Sequence, residues 1–144
     1  MGAGRTELLE CLFGASALEP TGEILIDGEL IKPRHPAEAL KAGLALVTED
    51  RKRLGIFNTM DVGRNISIVA LRDAVVGPML NQGEEQNLSV SMVEKLRIKT
   101  AGLTPPIGAL SGGNQQKCIV GRWLLTGPKA VSYTHLTLPT KRIV

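Results

Sequence analysis

The chain has 144 residues, of which 43% are hydrophobic and 22% charged, a composition typical of a folded domain and not of a disordered or collagen-like chain. Setting aside Lys141 and Arg142 reduces the net charge from +3 to +1, and only 3% of residues are aromatic, so nothing indicates a nucleic-acid partner. No apolar run approaches the roughly 18 residues of a membrane span, so any membrane role should be peripheral.

The chain starts with a glycine loop, Gly2-Ala3-Gly4-Arg5-Thr6, which runs directly into a helical pattern closed by Gly14. The end of this loop matches the phosphate-binding pattern Gly-x-x-x-x-Gly-Lys-Ser/Thr, except that arginine replaces lysine. A glycine loop that opens a helix normally follows a strand. We therefore expect the chain to be cut upstream of its first strand, and a loop at a natural terminus is the alternative. For the phosphate-binding match, the alternative is a glycine-containing turn that caps a helix.

The middle of the chain contains several short strand and helix patterns. Asp27-Gly28 suits a tight turn between two apolar runs and predicts a β-hairpin. Gly77-Pro78 marks a turn between two helical patterns. The predicted elements are hairpin strands over Glu23–Ile26 and Leu30–Ile31, a helix over Pro36–Lys41, a strand over Leu44–Val47, and helices over Val62–Val75 and Glu84–Leu96.

The most specific motif is Leu-Ser-Gly-Gly-Asn-Gln-Gln-Lys at Leu110–Lys117, which begins a helix predicted to run to about Leu125. Ser111 is placed to cap this helix, and the two glycines that follow allow an anion to approach the backbone closely. The helix N-terminus adds unpaired amide donors and a favourable dipole. This segment therefore predicts an anion site.

Residues 131–144 do not continue the periodicity or the composition of the residues before them. One permitted reverse translation of Val131–Thr140 reads as the adaptor of transposase-based sequencing libraries. We therefore expect 131–144 to be a non-native tail from adaptor read-through, to be set aside in reasoning about the fold. The alternative is a genuine β-strand, because Thr-His-Leu-Thr-Leu alternates in polarity.

Four segments together resemble the ATP-binding subunit of ABC transporters, and more narrowly the second nucleotide-binding half of the monosaccharide-import group. They are Gly2–Leu8, Thr48–Lys52, Asn65–Ser67 and Leu110–Lys117, in the family's order. The resemblance covers about residues 1–130 and implies an α/β P-loop NTPase fold with an antiparallel β subdomain and a helical signature subdomain. It implies a partial nucleotide-binding domain that lacks its first strand and everything from the Walker B strand onward.

The resemblance also implies which residues bind ATP and Mg²⁺. In the family, Leu-Ser-Gly-Gly is the signature motif, which contacts the γ-phosphate of ATP held by the opposite half. That role falls by position on Ser111, Gly112 and Gly113, with Asn114 where many members have glutamine. The remaining implied nucleotide contacts are Gly2, Ala3, Gly4, Arg5, Thr6 and Glu49, and Thr6 is the implied Mg²⁺ ligand.

Two departures from the wider family imply that this half's own nucleotide site is degenerate. Arg5 replaces the P-loop lysine and Glu49 replaces the Q-loop glutamine, as is typical of the second half in this group. A carboxylate near bound ATP adds repulsion, whereas the signature adds donors. The intact signature would then serve the site of the partner half. We assign no catalytic residue, and we expect the chain alone to be inactive although its parent protein would be an ABC-type ATPase.

The implied function is to couple ATP hydrolysis to monosaccharide uptake at the cytoplasmic face of the plasma membrane, as a peripheral subunit. The implied partners are the first nucleotide-binding half or a second copy of the subunit, the membrane permease subunits and, indirectly, a periplasmic or extracellular sugar-binding protein. Two cysteines in a chain of this size fit a reducing compartment better than a disulfide scaffold. A non-catalytic ABC-like regulatory or interaction module is the alternative function.

Overall fold

The computed structural model describes residues 5–17, 21–47 and 55–133 of the chain. The helices and strands, in chain order, are α1 (Arg5–Leu12), β1 (Ile24–Ile26), β2 (Glu29–Ile31), α2 (Pro36–Lys41), β3 (Leu44–Val47), α3 (Val62–Ser67), β4 (Val75–Val76), β5 (Met79–Leu80), α4 (Gln82–Lys95), α5 (Gly112–Leu124) and β6 (Ala130–Tyr133). Two 3-10 helices cover Ile68–Ala74 and Ile107–Ala109. The predictions at Gly2–Gly4 and at Thr48–Arg53 lie outside the described residues.

Strands β1 and β2 form the predicted antiparallel hairpin, with Ile24 opposite Ile31. Both turn residues have positive φ angles, 52° at Asp27 and 82° at Gly28. This conformation suits Asp-Gly because glycine has no Cβ and the short polar side chain of aspartate tolerates the left-handed region. The hairpin prediction is therefore confirmed, together with the turn that closes it.

Strand β3 is confirmed at its predicted bounds, and it pairs in parallel with β6. Leu44 lies opposite Ala130 and Val47 opposite Tyr133. The amide N–H of Lys129 donates to the carbonyl of Gly43 at 2.8 Å and starts this pairing. Three residues of the segment 131–144 thus form a strand, and the adaptor origin of that segment stays a prediction.

The helix predicted over Val62–Val75 is wrong in its second half. Helix α3 ends at Ser67, a 3-10 helix follows, and β4 begins at Val75. The β-branched Val75 and Val76, directly before the turn, favour extended backbone over helix, which explains the strand at this position. The Gly77-Pro78 turn is confirmed as the tip of the β4–β5 hairpin. The hairpin's apolar side chains are all exposed: Val75, Val76, Met79 and Leu80.

Capping side chains fix where the two helices of this region begin. The Asp61 carboxylate accepts from the N–H of Arg64 at 2.8 Å and caps α3. The Asn81 side chain accepts from the N–H groups of Gly83 at 2.9 Å and Glu84 at 3.3 Å. Helix α4 therefore begins at Gln82, two residues before its predicted start, because Asn81 satisfies donors that the first turn leaves unpaired.

Two clusters of buried apolar side chains hold the described residues together. The helical core consists of Val62, Ile66, Met92, Ile98, Ile107, Leu110 and Cys118. The N-terminal core consists of Phe13, Ala39 and Leu46, with Leu9, Leu40, Leu44 and Trp123 packed against them. Helix α5 contributes Cys118 to the first cluster and Trp123 to the second, so it joins the two cores.

Helices α4 and α5 approach closely at Gly121. A Cβ at this position would lie 3.2 Å from Cβ of Met92 and 3.2 Å from Cδ1 of Leu96. Contacts this short are tighter than ordinary packing, so the absence of a side chain sets the distance between the two helices. The glycine is thus a packing residue, and it positions α5 against the helical core.

Candidate functional site

Ser111 lies at the N-terminus of α5, as the sequence predicts. Its backbone is extended, with φ −60° and ψ 155°, and its hydroxyl accepts from the N–H of Asn114. The N–H of Gln115 donates to the Ser111 carbonyl at 2.9 Å, which begins the helical ladder. The residue therefore has the geometry of an N-cap, and its exposed side chain lies at the positive end of the helix dipole.

The paired glycines form the first turn of α5, and at least one of them has no packing role within the described chain. A Cβ built on Gly113 would meet no atom within 4 Å, in contrast to Gly121 farther along the helix. Gly113 also has no positive φ angle that would require glycine. Since glycine weakens a helix relative to alanine, its presence at this exposed end favours an approach by an outside group.

The side chain of Asn114 is bound at both ends within the chain. Its Oδ1 atom accepts from the N–H of Lys99 at 3.0 Å, and its Nδ2 atom donates to the Ser111 hydroxyl at 3.0 Å. Lys99 belongs to the connection between α4 and the second 3-10 helix. The structure therefore brings together Ser111, Gly112, Gly113 and Asn114 at one helix end, as predicted, and ties them to that connection.

The predicted glycine-loop residues are described only in part. Helix α1 begins at Arg5, and Thr6 is half-buried in its first turn. Gly2, Ala3, Gly4 and Glu49 lie outside the described residues, so their predicted nucleotide contacts stay predictions. Across the described ranges, no hydrogen bond joins Thr6 to the group at Ser111, and no cluster of three or more histidine, cysteine, aspartate or glutamate side chains could hold a metal ion.

A buried polar network lies behind the site and connects α5 to α3. Arg122 donates from Nε to the carbonyl of Asn65 at 2.6 Å, from Nη2 to the Asn65 side-chain oxygen at 3.1 Å, and from Nη1 to the carbonyl of Gly55 at 2.8 Å. Its guanidinium also lies 5.0 Å from the centre of the Phe57 ring. Burial lowers the pKa of Arg122 to about 10, because the charged form loses its water.

Asn65 completes this network with its amide group. It donates to the carbonyls of Phe57 at 3.0 Å, Met60 at 3.2 Å and Asp61 at 2.9 Å, and it accepts from the N–H of Phe57 at 2.9 Å. The side chain is fully buried, and its amide oxygen and both amide protons are engaged. Asn65 and Arg122 together fix the segment that precedes α3 against α5.

A groove of about 200 Å³ lies between the start of α3 and the first half of α4. The residues that line it are mostly polar: Asp61, Gly63, Arg64, Gln82, Glu85, Gln86, Ser89, Leu103 and Thr104. None of the predicted site residues is among them. The N-terminus of α5 is therefore not part of this groove.

The family model described as ABC transporter matches residues 1–132. The chain belongs to the ABC transporter family. This ABC-family chain is 45% identical over 143 residues to a ribose import ATP-binding protein of Rhodopirellula baltica. The matched region covers 99% of the chain and 27% of the relative. It is 43% identical over 130 residues to a xylose import ATP-binding protein of Escherichia coli, and this matched region covers 90% of the chain and 25% of the relative. The chain therefore spans about a quarter of the length of these relatives.

The fold agrees with this assignment. The structure is similar to the crystal structure of an ATP-binding cassette of an ABC transporter in its ADP conformation, with a TM-score of 0.64 and 20% sequence identity. The similarity covers 89% of this chain and 52% of the other. The α/β fold predicted for an ABC ATPase is therefore confirmed. In the described ranges, no helix of this ABC-family chain is both long and apolar enough to span a membrane.

Sequence reasoning missed Arg122, although one signal for it exists. Cys118, Ile119 and Arg122 are spaced to share one face of α5, and the first two are buried. A charged residue on an apolar helix face must be paired or must bind several neutral acceptors. That placement could have indicated a buried guanidinium, but its acceptors lie 57 and 67 residues earlier in the sequence.

Proposed function

We propose that this chain provides the signature segment of an ATP-binding subunit that powers monosaccharide uptake by an ABC importer. The observation that carries the proposal is the N-terminus of α5, where Ser111 caps the helix and a Cβ on Gly113 would have no neighbour within 4 Å among the described residues. The backbone N–H groups of a helix N-terminus, its favourable dipole and an exposed hydroxyl form a set of donors suited to a phosphate. The names of the ribose and xylose import relatives support the sugar-uptake assignment.

In this proposal Ser111, Gly112 and Gly113 bind the γ-phosphate of ATP that another nucleotide-binding half holds. That half is either the first half of the same protein or a second copy of the subunit. The serine hydroxyl and the glycine amides would stabilise the charge that develops during phosphoryl transfer, since such donors act most strongly where water is excluded. Asn114 belongs to the same binding site, next to Ser111.

The chain's own glycine loop would form a second, degenerate site. Arg5 has a planar guanidinium where the P-loop pattern has the compact ammonium of lysine, and Glu49 would place a carboxylate near the nucleotide. The Thr6 hydroxyl fits one ligand position of Mg²⁺, whose charge would be shared with the phosphates when ATP is bound. We expect no ATP hydrolysis by the chain alone, because in-line attack needs both a held Mg²⁺ and a positioned water.

The remaining partners follow from the same proposal. The subunit would act at the cytoplasmic face of the plasma membrane, attached to permease subunits and served indirectly by an extracellular or periplasmic sugar-binding protein. Each of these contacts would be made by the complete importer and not by the α5 surface alone. Specificity for the sugar would then depend on the permease and the sugar-binding protein.

The experiment is ATP-driven uptake by a full-length protein that carries this sequence, assembled with its permease and sugar-binding protein in vesicles. We expect Ser111→Glu and Gly113→Asp to reduce uptake of labelled ribose, xylose or galactose by more than about 10-fold, because each puts a carboxylate against the phosphate. Asn87→Ala is the matched control, since Asn87 is exposed on α4.

Full uptake in both acidic variants would overturn the proposal that the signature binds ATP. Absence of uptake in the unsubstituted assembly, with normal assembly of the subunits, would instead favour the non-catalytic interaction module. The assay therefore separates loss of the proposed contact from loss of the proposed class of function.

A further inference from the structure

The amide of Asn114 has only one orientation compatible with its neighbours. The atom that faces the backbone N–H of Lys99, at 3.0 Å, must be an acceptor, because a backbone N–H can only donate. That atom is therefore Oδ1, and the NH₂ group is the part that faces Ser111. The assignment of the two amide atoms follows from the chemistry of the donor at Lys99.

This orientation determines how the Ser111 hydroxyl can be used. A hydroxyl has one proton and two acceptor positions. The Asn114 NH₂ group donates to Oγ at 3.0 Å, and the Asn114 backbone N–H points to the same oxygen at 3.5 Å. Both donors approach Oγ from the side of the helix, and the bond from the NH₂ group is the shorter of the two. In the part of the chain that the structure describes, no acceptor is present for the hydroxyl proton, which is therefore directed away from the two donors of Asn114.

We propose that Asn114 is a positioning residue that makes Ser111 a hydrogen-bond donor toward the phosphate of bound ATP. The inference rests on the proposed function of the signature and names the residue that prepares its serine. Without the Asn114 side chain, only the longer contact from the backbone N–H at 3.5 Å would remain, so the hydroxyl would have more orientations and its proton would be aimed at the phosphate for only part of the time. A donor that is already aimed costs no reorganisation when an anionic acceptor arrives.

The side chains of the motif residues that follow Asn114 also bind within the chain. Gln115 donates from Nε2 to the carbonyls of Ile107 at 3.3 Å and Leu110 at 3.1 Å. Lys117 donates from Nζ to the carbonyl of Arg97 at 2.9 Å. Both side chains hold the first turns of α5 against the preceding loops. The polar residues after the glycines thus bind within the chain and fix the frame in which Ser111 points outward.

The test is a double-mutant cycle on the ATPase activity of the full-length assembly, measured as kcat/KM for MgATP. Ser111→Ala should lower this value by about 10- to 100-fold, the range for a hydrogen bond to a charged group. Asn114→Ala should lower it by about 2- to 10-fold in the parent background, as for a neutral hydrogen bond. In the Ser111→Ala background the same change should cost less than about twofold, because there is no hydroxyl to orient.

A second background that keeps the hydroxyl, together with a matched control, distinguishes orientation of the hydroxyl from a general effect on α5. Ser111→Thr keeps a hydroxyl, so Asn114→Ala should again cost several-fold there. Asn87→Ala, an asparagine change on α4 outside the motif, should leave kcat/KM within about twofold in every background. A general loosening of α5 would instead lower activity equally with and without the hydroxyl.

Each outcome either supports or overturns the inference. Equal losses from Asn114→Ala in the serine and alanine backgrounds would show that Asn114 acts independently of Ser111, as a direct nucleotide contact would. No loss in the parent background would show that the hydroxyl needs no orientation. If Ser111→Ala itself has no effect, the proposed function of the signature fails, and this result is distinct from a failed coupling.

Discussion

Arg122 shows how a single residue connects distant parts of this fold. Its guanidinium binds two backbone carbonyls and one side-chain oxygen, so its buried charge is stabilised by neutral dipoles. An apolar replacement of a buried ion pair can be neutral, because both charges disappear together. Here the acceptors are peptide carbonyls that would remain buried without a donor. Removal of the Arg122 side chain should therefore lower the free energy of unfolding, because these carbonyls would lose their donors.

We predict that Arg122→Met lowers the free energy of unfolding by about 2–4 kcal/mol, since it leaves the carbonyls of Gly55 and Asn65 unsatisfied. Urea unfolding followed by circular dichroism measures this difference. Arg72→Met, at an exposed position on the 3-10 helix, is the control and should change stability by less than about 0.5 kcal/mol. Equal stabilities of the two variants would contradict the role given to the network.

At the scale of the element, α5 contains glycines with opposite roles. Gly121 faces α4 at the closest approach of the two helices, whereas Gly113 faces open space at the N-terminus. The same substitution should therefore have opposite effects on stability at the two positions. Helix propensity favours alanine at both, but only at Gly121 does a methyl group meet a neighbour that cannot move without shifting a helix.

We predict that Gly113→Ala raises the free energy of unfolding by up to about 1 kcal/mol, and that Gly121→Ala lowers it by about 1–3 kcal/mol. The second change places Cβ 3.2 Å from Cβ of Met92, an atom held by the backbone of α4. Thermal unfolding of the two variants beside the parent chain provides the comparison. A gain in stability from Gly121→Ala would show that the helices can separate at little cost.

At the scale of the whole molecule, α5 links two cores that would otherwise be separate. Cys118 lies in the helical core, and Trp123, the single tryptophan of the chain, packs against Phe13 in the N-terminal core. Tryptophan fluorescence therefore reports on one core, while far-UV circular dichroism reports mainly on the helices of the other. A shared helix should make the two cores unfold together.

We predict that fluorescence and circular dichroism give coincident urea transitions, and that Ile66→Ala shifts both by the same amount. Ile66 is fully buried in the helical core, so its truncation should cost about 2–5 kcal/mol. Leu30→Ala, at an exposed position in the β1–β2 hairpin, is the control for an apolar truncation. Separate transitions, or a shift in circular dichroism alone, would show that α5 does not couple the cores.

Local signals in the sequence predicted those parts of the fold that depend on neighbouring residues. Asp27-Gly28 determined a hairpin turn, and Ser111 identified the start of α5, because turn and cap geometries use residues a few positions apart. The end of α3 was missed because the 3.6-residue apolar pattern continues into a segment that forms a 3-10 helix and then a strand. The contact of Asn114 with Lys99 and the contacts of Arg122 could not be predicted, since these partners lie 15 to 67 residues away.

The length of α5 determines how far Ser111 moves when the helix tilts. Twelve residues separate Ser111 from Trp123, which corresponds to about 18 Å of helix. A rotation of about 5° around the tryptophan end would displace the serine by about 1.6 Å, more than half the length of a hydrogen bond. The helical core holds α5 at Cys118 and the N-terminal core holds it at Trp123. Together they must keep the helix within a few degrees for the hydroxyl to reach the phosphate oxygen of the proposed nucleotide.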